Sequence, residues 1–203
     1  SELFKKGLLS VQNPTSGLIV MLLDPKEDEV IIDGCSAPGG KTSYVAEIMN
    51  NKGKILAFDK SKSRIEKLKI NLDRLLIKNV TAEIKDLTTE ILPKADKILL
   101  DVPCSGTGAM SKRADLRWRR ETDDLLEMHL QQRKILWEAA ESIKDKGVIV
   151  YSTCSLEYEE NWMVIKAFLK AFPKFKVDNA DSYIPSKYVD KNGALFTFPP
   201  NHN

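Results

Sequence analysis

The sequence predicts an α/β fold, a doubly wound and mostly parallel sheet, built as one domain over residues 1–203. Three observations predict it. Short apolar runs alternate with longer helical stretches along the whole chain. Several of those runs are continuous aliphatic segments, as in strands covered on both faces. Polar loops of small residues follow the runs, at the carboxyl ends where open sheets of this kind bind ligands.

The elements follow in order. Residues 1–25 read as a lead-in segment with a short helix at 14–23. Strands are expected at 30–34, 54–59, 81–85, 96–102, 147–152 and 174–178. Helices fill the gaps at 42–50, 61–76, 121–145 and 156–171. In the second of these, Ile65, Leu68, Leu72 and Leu75 recur at helical spacing. The third ends at Lys146-Gly147, a basic turn followed by a C-terminal glycine. Ser155 reads as the N-cap of the fourth, with Glu157, Glu159 and Glu160 in an acidic first turn. Residues 179–203 are rich in Pro and Asn and read as irregular.

Composition bounds the function classes. A length of 203 residues suits one globular core. Hydrophobic content is 42% and charged content 30%, and no apolar run approaches the roughly 20 residues that span a bilayer. The first residues, Ser1 to Lys6, lack a signal-like apolar core, so a cytoplasmic monomer is expected. Net charge is +2, so any nucleic-acid binding must come from a local patch. Cys35, Cys104 and Cys154 form no C-x-x-C pair, and there are only two histidines. Neither a disulfide framework nor a metal site is expected.

The segment Asp33-Gly34-Cys35-Ser36-Ala37-Pro38-Gly39-Gly40-Lys41-Thr42 follows the first strand and opens a helix. Small residues there let a ligand approach the backbone, and helix N–H groups favour an anionic group. It is not a P-loop, because that motif would need glycine where Cys35 stands, and G-x-G-x-x-G is absent. A tight strand–helix turn is the plain alternative. Asp59, ending the second strand, is a candidate acceptor for ribose hydroxyls. Asp86, after the third, is a candidate contact to adenine or its amino group, with a solvated loop aspartate as the alternative.

Asp101-Val102-Pro103-Cys104-Ser105-Gly106-Thr107-Gly108 ends the fourth strand, and Ser152-Thr153-Cys154-Ser155 ends the fifth. Neighbouring strands lie about 5 Å apart, so both cysteines should face one pocket. Such a pair suits cytosine methylation. Carbon 5 is a poor nucleophile until a thiolate adds at carbon 6, and the adduct then needs a second group for release. Asp101 is placed to stabilise charge at nitrogen 3 and the exocyclic amine. The residues alone leave the two cysteine roles interchangeable.

These motifs resemble the RNA 5-methylcytosine methyltransferases, most closely the bacterial ribosomal RNA branch called Sun or Fmu. Asp33 to Thr42 matches that family's D-x-C-A-A-P-G-G-K-T apart from Ser36, and Asp101 to Gly108 its D-A-P-C-S-G-T-G apart from Val102. Thr153 to Ser155 with Glu159 to Asn161 matches T-C-S followed by E-E-N. The resemblance implies a Rossmann-like class I methyltransferase fold that uses S-adenosylmethionine. It implies that Cys154 is the nucleophile and that Cys104 assists release. Cys35, Ser36, Ala37, Pro38, Gly39, Gly40 and Lys41, with Asp59, Asp86 and Asp101, would hold S-adenosylmethionine; Lys41 would also position the base or acidic groups. Family members also carry an RNA-binding domain before Gly7 and a last strand after Asn203, so both are expected to be missing here.

Lys112, Arg113, Arg117, Arg119 and Arg120 form a basic run with Trp118 among them, directly after the Cys104 motif. The basic residues are read as phosphate contacts and Trp118 as a possible stacking group. The alternatives are a solvated charge run and a core tryptophan. The expected partner is RNA, most of all ribosomal RNA, with the target base unpaired or flipped out. His129 is read as structural, and Trp137 and Trp162 as core. Two other readings stand beside this one: a DNA cytosine-5 methyltransferase, and a noncatalytic RNA-binding module that keeps the fold.

Overall fold

A computed structural model describes residues 1–110 and 122–198. Five strands form one wholly parallel sheet: β1 (Val30–Asp33), β2 (Lys54–Asp59), β3 (Val80–Ile84), β4 (Ala95–Asp101) and β5 (Ile143–Ser152). Their order is β3-β2-β1-β4-β5. The order reverses between β1 and β4, so the crevice beyond their carboxyl ends is the place where such sheets bind ligands.

Alternation along each strand divides the core. Ile32, Ile98 and Leu100 pack on one face, against α5 (Thr122–Ser142) and α6 (Trp162–Ala171). Ile31 and Leu99 turn to the other, against α2 (Pro14–Leu23) and α3 (Gly40–Ile48). There α4 (Lys62–Arg74) adds Ile65, Leu68 and Leu72 over Ala57 and Ala82. The cores of β1, β2 and β4 are thus shielded on both sides, which explains their apolar runs, whereas the edge strand β3 buries only Ala82.

A short helix, α1 (Glu2–Lys5), opens the lead-in segment and was not expected from the sequence. Arg74 holds this segment, donating to the carbonyls of Phe4 (2.7 Å) and Leu9 (3.1 Å), with its guanidinium 3.9 Å over the Phe4 ring. Gly7 sits at φ +72°, and a Cβ there would lie 1.8 Å from the Arg74 carbonyl oxygen, so only glycine fits.

Three expectations are corrected. Residues 174–178 form no strand. The alternation there is real, but Phe175 is drawn into an aromatic cluster with Phe168 and Phe172, at centroid separations of 5.0 and 6.1 Å. The helix expected to 145 stops at Ser142, and β5 begins at Ile143; its pairing with β4 is irregular between Ala95 and Lys97. Residues 156–171 divide into a 3-10 turn, Tyr158–Glu160, and α6, so Ser155 does not cap α6.

Trp137 packs against Phe168 and Phe172 as expected. Trp162 does not enter the core: it is half-buried, and its indole N–H donates to Asp190 at 3.3 Å. His129 is buried, with Nδ1 2.7 Å from the Glu159 carbonyl oxygen. Among the described residues no helix is long and apolar enough to cross a membrane.

Candidate active site

The loop after β1 is fastened on several sides. The Ser36 backbone N–H and side-chain hydroxyl both donate to the Phe58 carbonyl (2.9 and 3.1 Å), and Arg64 donates to the Ala37 carbonyl. Gly39 has φ +104°, and a Cβ there would meet Leu68 at 2.3 Å. The loop therefore passes directly over α4 and delivers Gly40 and Lys41 as the first turn of α3.

Asp33 lies beneath this loop and is buried. Its Oδ2 accepts from the Thr42 hydroxyl at 2.7 Å, while Oδ1 is buried with no partner. Burial pushes its carboxyl up to about 7. A cavity of ≈ 210 Å³ opens here, lined among others by Gln12, Asp33, Ser36, Pro38, Lys41 and Asp101. Gln12 Nε2, also buried without a partner, lies 4.0 Å from where a Cβ on Gly40 would stand. An unsatisfied carboxylate oxygen and an unsatisfied amide donor thus belong to two residues that line one small space. Burying such groups unpaired is costly, and a zwitterionic ligand would satisfy both.

Asp59 is buried at the tip of β2. Its Oδ1 accepts from Ser61 N–H at 2.9 Å; its Oδ2 accepts no hydrogen bond, although Arg64 lies 3.3 Å away. Asp86 follows β3 and accepts from the Thr88 amide (2.9 Å) and hydroxyl (2.7 Å), bonds that hold its carboxyl below the usual range. Neither aspartate lines the small cavity. Cys35 is half-buried among core residues, and burial pushes its thiol up.

Register explains the second half of the site. Asp101 pairs with Ser152 across β4 and β5, so the two following loops rise side by side. Cys104 Sγ and Cys154 Sγ come to 3.1 Å, although 50 residues separate them. Cys154 is exposed and Cys104 half-buried. Either thiol can donate in this contact; with Cys104 as donor, the bond pulls the Cys154 thiol down, and that same bond and burial hold Cys104 up. That arrangement favours the nucleophilic form at Cys154.

Asp101 accepts from Lys41 Nζ at 2.6 Å and from the Ser152 hydroxyl at 2.9 Å. The pair Lys41 and Asp101 lines the small cavity and also a wider groove of ≈ 1610 Å³ along β5, into which Cys154 opens. The ion pair therefore stands where the two spaces meet.

The cysteine loops are densely bonded. Ser105 N–H donates to Glu160 at 2.8 Å, and the Ser105 hydroxyl donates to the other oxygen of that carboxylate. Gln132 Nε2 donates to Glu160 and to the Pro103 carbonyl, both at 2.9 Å. Asn161 accepts from the Thr153 hydroxyl at 2.7 Å and donates to the Ser155 carbonyl at 2.9 Å. The Gly108 N–H closes on the Cys154 carbonyl at 3.0 Å.

Lys41, Asp101, Cys104 and Cys154 are brought together as the sequence predicts, and Cys35 to Pro38, Gly40 and Lys41 line the small cavity, while Gly39 faces Leu68 instead. The basic run Lys112, Arg113, Arg117, Trp118, Arg119 and Arg120 lies outside the described residues. Sequence reasoning missed Gln12, Asp33, Gln132 and Glu160 as site residues. Glu160 reads in the sequence as an acid of a helix's first turn; the structure buries it fully.

The family described as 16S rRNA methyltransferase RsmB/F matches residues 20–203. The chain is 39% identical over 204 residues to a tRNA (cytosine(72)-C(5))-methyltransferase of Pyrococcus horikoshii, covering 98% of this chain and 50% of that protein. It is 36% identical over 192 residues to a probable ribosomal RNA small subunit methyltransferase B of Bacillus subtilis, covering 92% and 43%. The crystal structure of NSun6 from Pyrococcus horikoshii with SFG superposes with a TM-score of 0.89 at 37% identity, covering 100% of this chain and 52% of that one. The chain spans about half the length of the curated relatives it matches.

Proposed function

Because the chain belongs to the 16S rRNA methyltransferase RsmB/F family, we propose that it transfers the methyl group of S-adenosylmethionine to carbon 5 of a cytosine in RNA, with ribosomal RNA as the substrate class. The observation that carries this reading is the junction at Lys41 and Asp101. On one side is a small cavity lined by residues with unsatisfied polar groups; on the other is a groove into which Cys154 opens, its sulfur 3.1 Å from that of Cys104.

The residues present fit the methyl donor. Asp33 Oδ1 suits its ammonium group, and Gln12 Nε2 with the first turn of α3 suits its carboxylate. Asp59 suits the ribose hydroxyls, Asp86 the adenine, and Cys35 to Lys41 the wall of the site. S-adenosylmethionine supplies a methyl group on a positively charged sulfur. A relative solved with SFG, an analogue of this donor, supports the assignment.

In the reaction, Cys154 adds its sulfur to carbon 6 of the cytosine, and the displaced electron pair moves through the ring toward nitrogen 3. Nitrogen 3 takes up a proton from solvent as the pair arrives, and Asp101 accepts hydrogen bonds from that N–H and from the exocyclic amine, stabilising the charge there, while Lys41 holds Asp101 in position. Carbon 5 then takes the methyl group as nitrogen 3 returns its proton, and the electron pair of the broken sulfur–methyl bond leaves on the donor's sulfur as S-adenosylhomocysteine. Loss of the carbon 5 proton to a base restores the double bond and returns the carbon 6–sulfur electron pair to Cys154. Cys104 assists this release. The run Lys112, Arg113, Arg117, Arg119 and Arg120 supplies phosphate contacts, with Trp118 available for stacking.

Covalent trapping tests the reading. RNA carrying 5-fluorocytosine should be captured by the wild-type protein and by Cys104→Ala, but not by Cys154→Ala. Capture by Cys154→Ala and not by Cys104→Ala would reverse the roles, in the pattern of DNA cytosine methyltransferases. No detectable S-adenosylmethionine binding in a protein carrying all its domains would favour the noncatalytic reading.

A further inference from the structure

Glu160 has no relative exposure and no cationic partner among the described residues. Leaving a carboxylate in such a place costs stability, and an apolar residue of similar volume would cost less. Its contacts show what the charge holds. Cys104 stands between Pro103 and Ser105. Ser105 donates both its N–H and its hydroxyl to Glu160, and Gln132, which also donates to Glu160, donates to the Pro103 carbonyl. Both neighbours of Cys104 are therefore tied, directly or through one amide, to one carboxylate.

Gln132 underlines the point. Its Oε1 is buried without a partner. Turning the amide over would set that oxygen against the Glu160 carboxylate and the Pro103 carbonyl, so the unsatisfied orientation is the one the loop requires. Glu160 itself is anchored: its carbonyl accepts from the Tyr151 hydroxyl at 2.7 Å, on the strand that leads to Cys154. The next residue, Asn161, holds the other loop through Thr153, Ser155 and Glu157. Adjacent residues thus each hold one cysteine loop.

We propose that Glu160 and Asn161 are positioning residues that set the two sulfurs at working distance, Glu160 holding Cys104 through Ser105 and Gln132, and Asn161 holding Cys154. This rests on the proposed function. The two halves of the clamp serve different steps: loss of Glu160 should impair release of the adduct, and loss of Asn161 its formation.

The test uses Glu160→Gln, Ser105→Ala and Asn161→Ala beside Cys104→Ala, with S-adenosylmethionine and RNA from cells lacking the gene. Glu160→Gln should accumulate a covalent protein–RNA complex on ordinary cytosine, as Cys104→Ala does, with release slowed about tenfold or more. Ser105→Ala should give the same effect in weaker form and covers the case in which Glu160→Gln does not fold. Asn161→Ala should instead capture less 5-fluorocytosine RNA. S-adenosylmethionine affinity, read separately, should stay near wild type in Ser105→Ala. A stalled complex is a readout that general loosening would not produce. The proposal is overturned if Glu160→Gln and Ser105→Ala release product at the wild-type rate, or lose formation and release equally. A wild-type protein that captures no 5-fluorocytosine RNA overturns the parent reading as well.

Discussion

The two lips of the crevice are built on opposite principles. Around the cysteines nearly every polar atom is spoken for: Ser105, Thr107, Thr153, Ser155, Glu160 and Asn161 bond one another across two loops. Around the small cavity, Asp33 Oδ1 and Gln12 Nε2 are buried with no hydrogen-bond partner. A lip that performs chemistry must be rigid before the substrate arrives. A lip that binds a ligand keeps its hydrogen-bonding capacity unspent, and loses stability until the ligand comes.

Substitutions can break this contrast. The largest effect is expected on the rigid lip. Cys154→Ala should lower turnover by roughly a thousandfold or more, with donor affinity unchanged by calorimetry. A loss of donor affinity instead would mean that the two lips are not separate.

Asp33→Asn should act on the other lip, weakening S-adenosylmethionine binding about ten- to hundredfold. It should also change the pH dependence of folding. The Asp33 carboxyl rises from 3.8 to about 7 in the folded protein, chiefly through burial. The unfolded chain gives up this proton first, so the contribution is fully present below 3.8 and is lost as pH rises through about 7. Without donor, wild-type stability relative to Asp33→Asn should fall by ~2–4 kcal/mol across that window. Denaturant titrations at several pH values measure it; parallel curves for the two proteins would refute it.

Cys104→Ala probes the rigid lip more gently. Removing the bond that pulls the Cys154 thiol down should move its iodoacetamide reactivity profile to higher pH. A profile that stays in place would mean the sulfur contact does not tune the nucleophile. The smallest effect is expected at Gln12. Gln12→Ala should weaken S-adenosylhomocysteine a few-fold, about 1 kcal/mol, and leave 5′-methylthioadenosine, which lacks the amino-acid end, untouched.

The same contrast governs what was legible in the sequence. The ligand-binding lip and the cysteines lie at strand ends, and strand ends follow from local apolar runs. Lys41, Asp101, Cys104 and Cys154 were therefore placed on one rim without the structure. Glu160 was not, because its burial depends on Ser105, 55 residues away, and no local period records such a partner. Ser155 resembled an N-cap for a related reason: its hydroxyl does accept an N–H two residues on, from Glu157 at 3.0 Å, but the helix starts later. Residues 174–178 alternate as a strand does, yet alternation cannot say whether a neighbouring strand is there to pair. Phe175 found an aromatic cluster instead.

The lead-in segment has a consequence for dissecting the protein. Arg74 and the tight approach of Gly7 bind it to the outside of α4, and a few residues later Gln12 reaches the cavity wall. A fragment cut immediately before β1 would keep every strand and lose a wall of the donor pocket, as well as the α2 residues Val20 and Leu23 from the core. The functional boundary lies well upstream of the first strand, and trimming by secondary structure alone would yield a sheet that folds poorly around an open pocket.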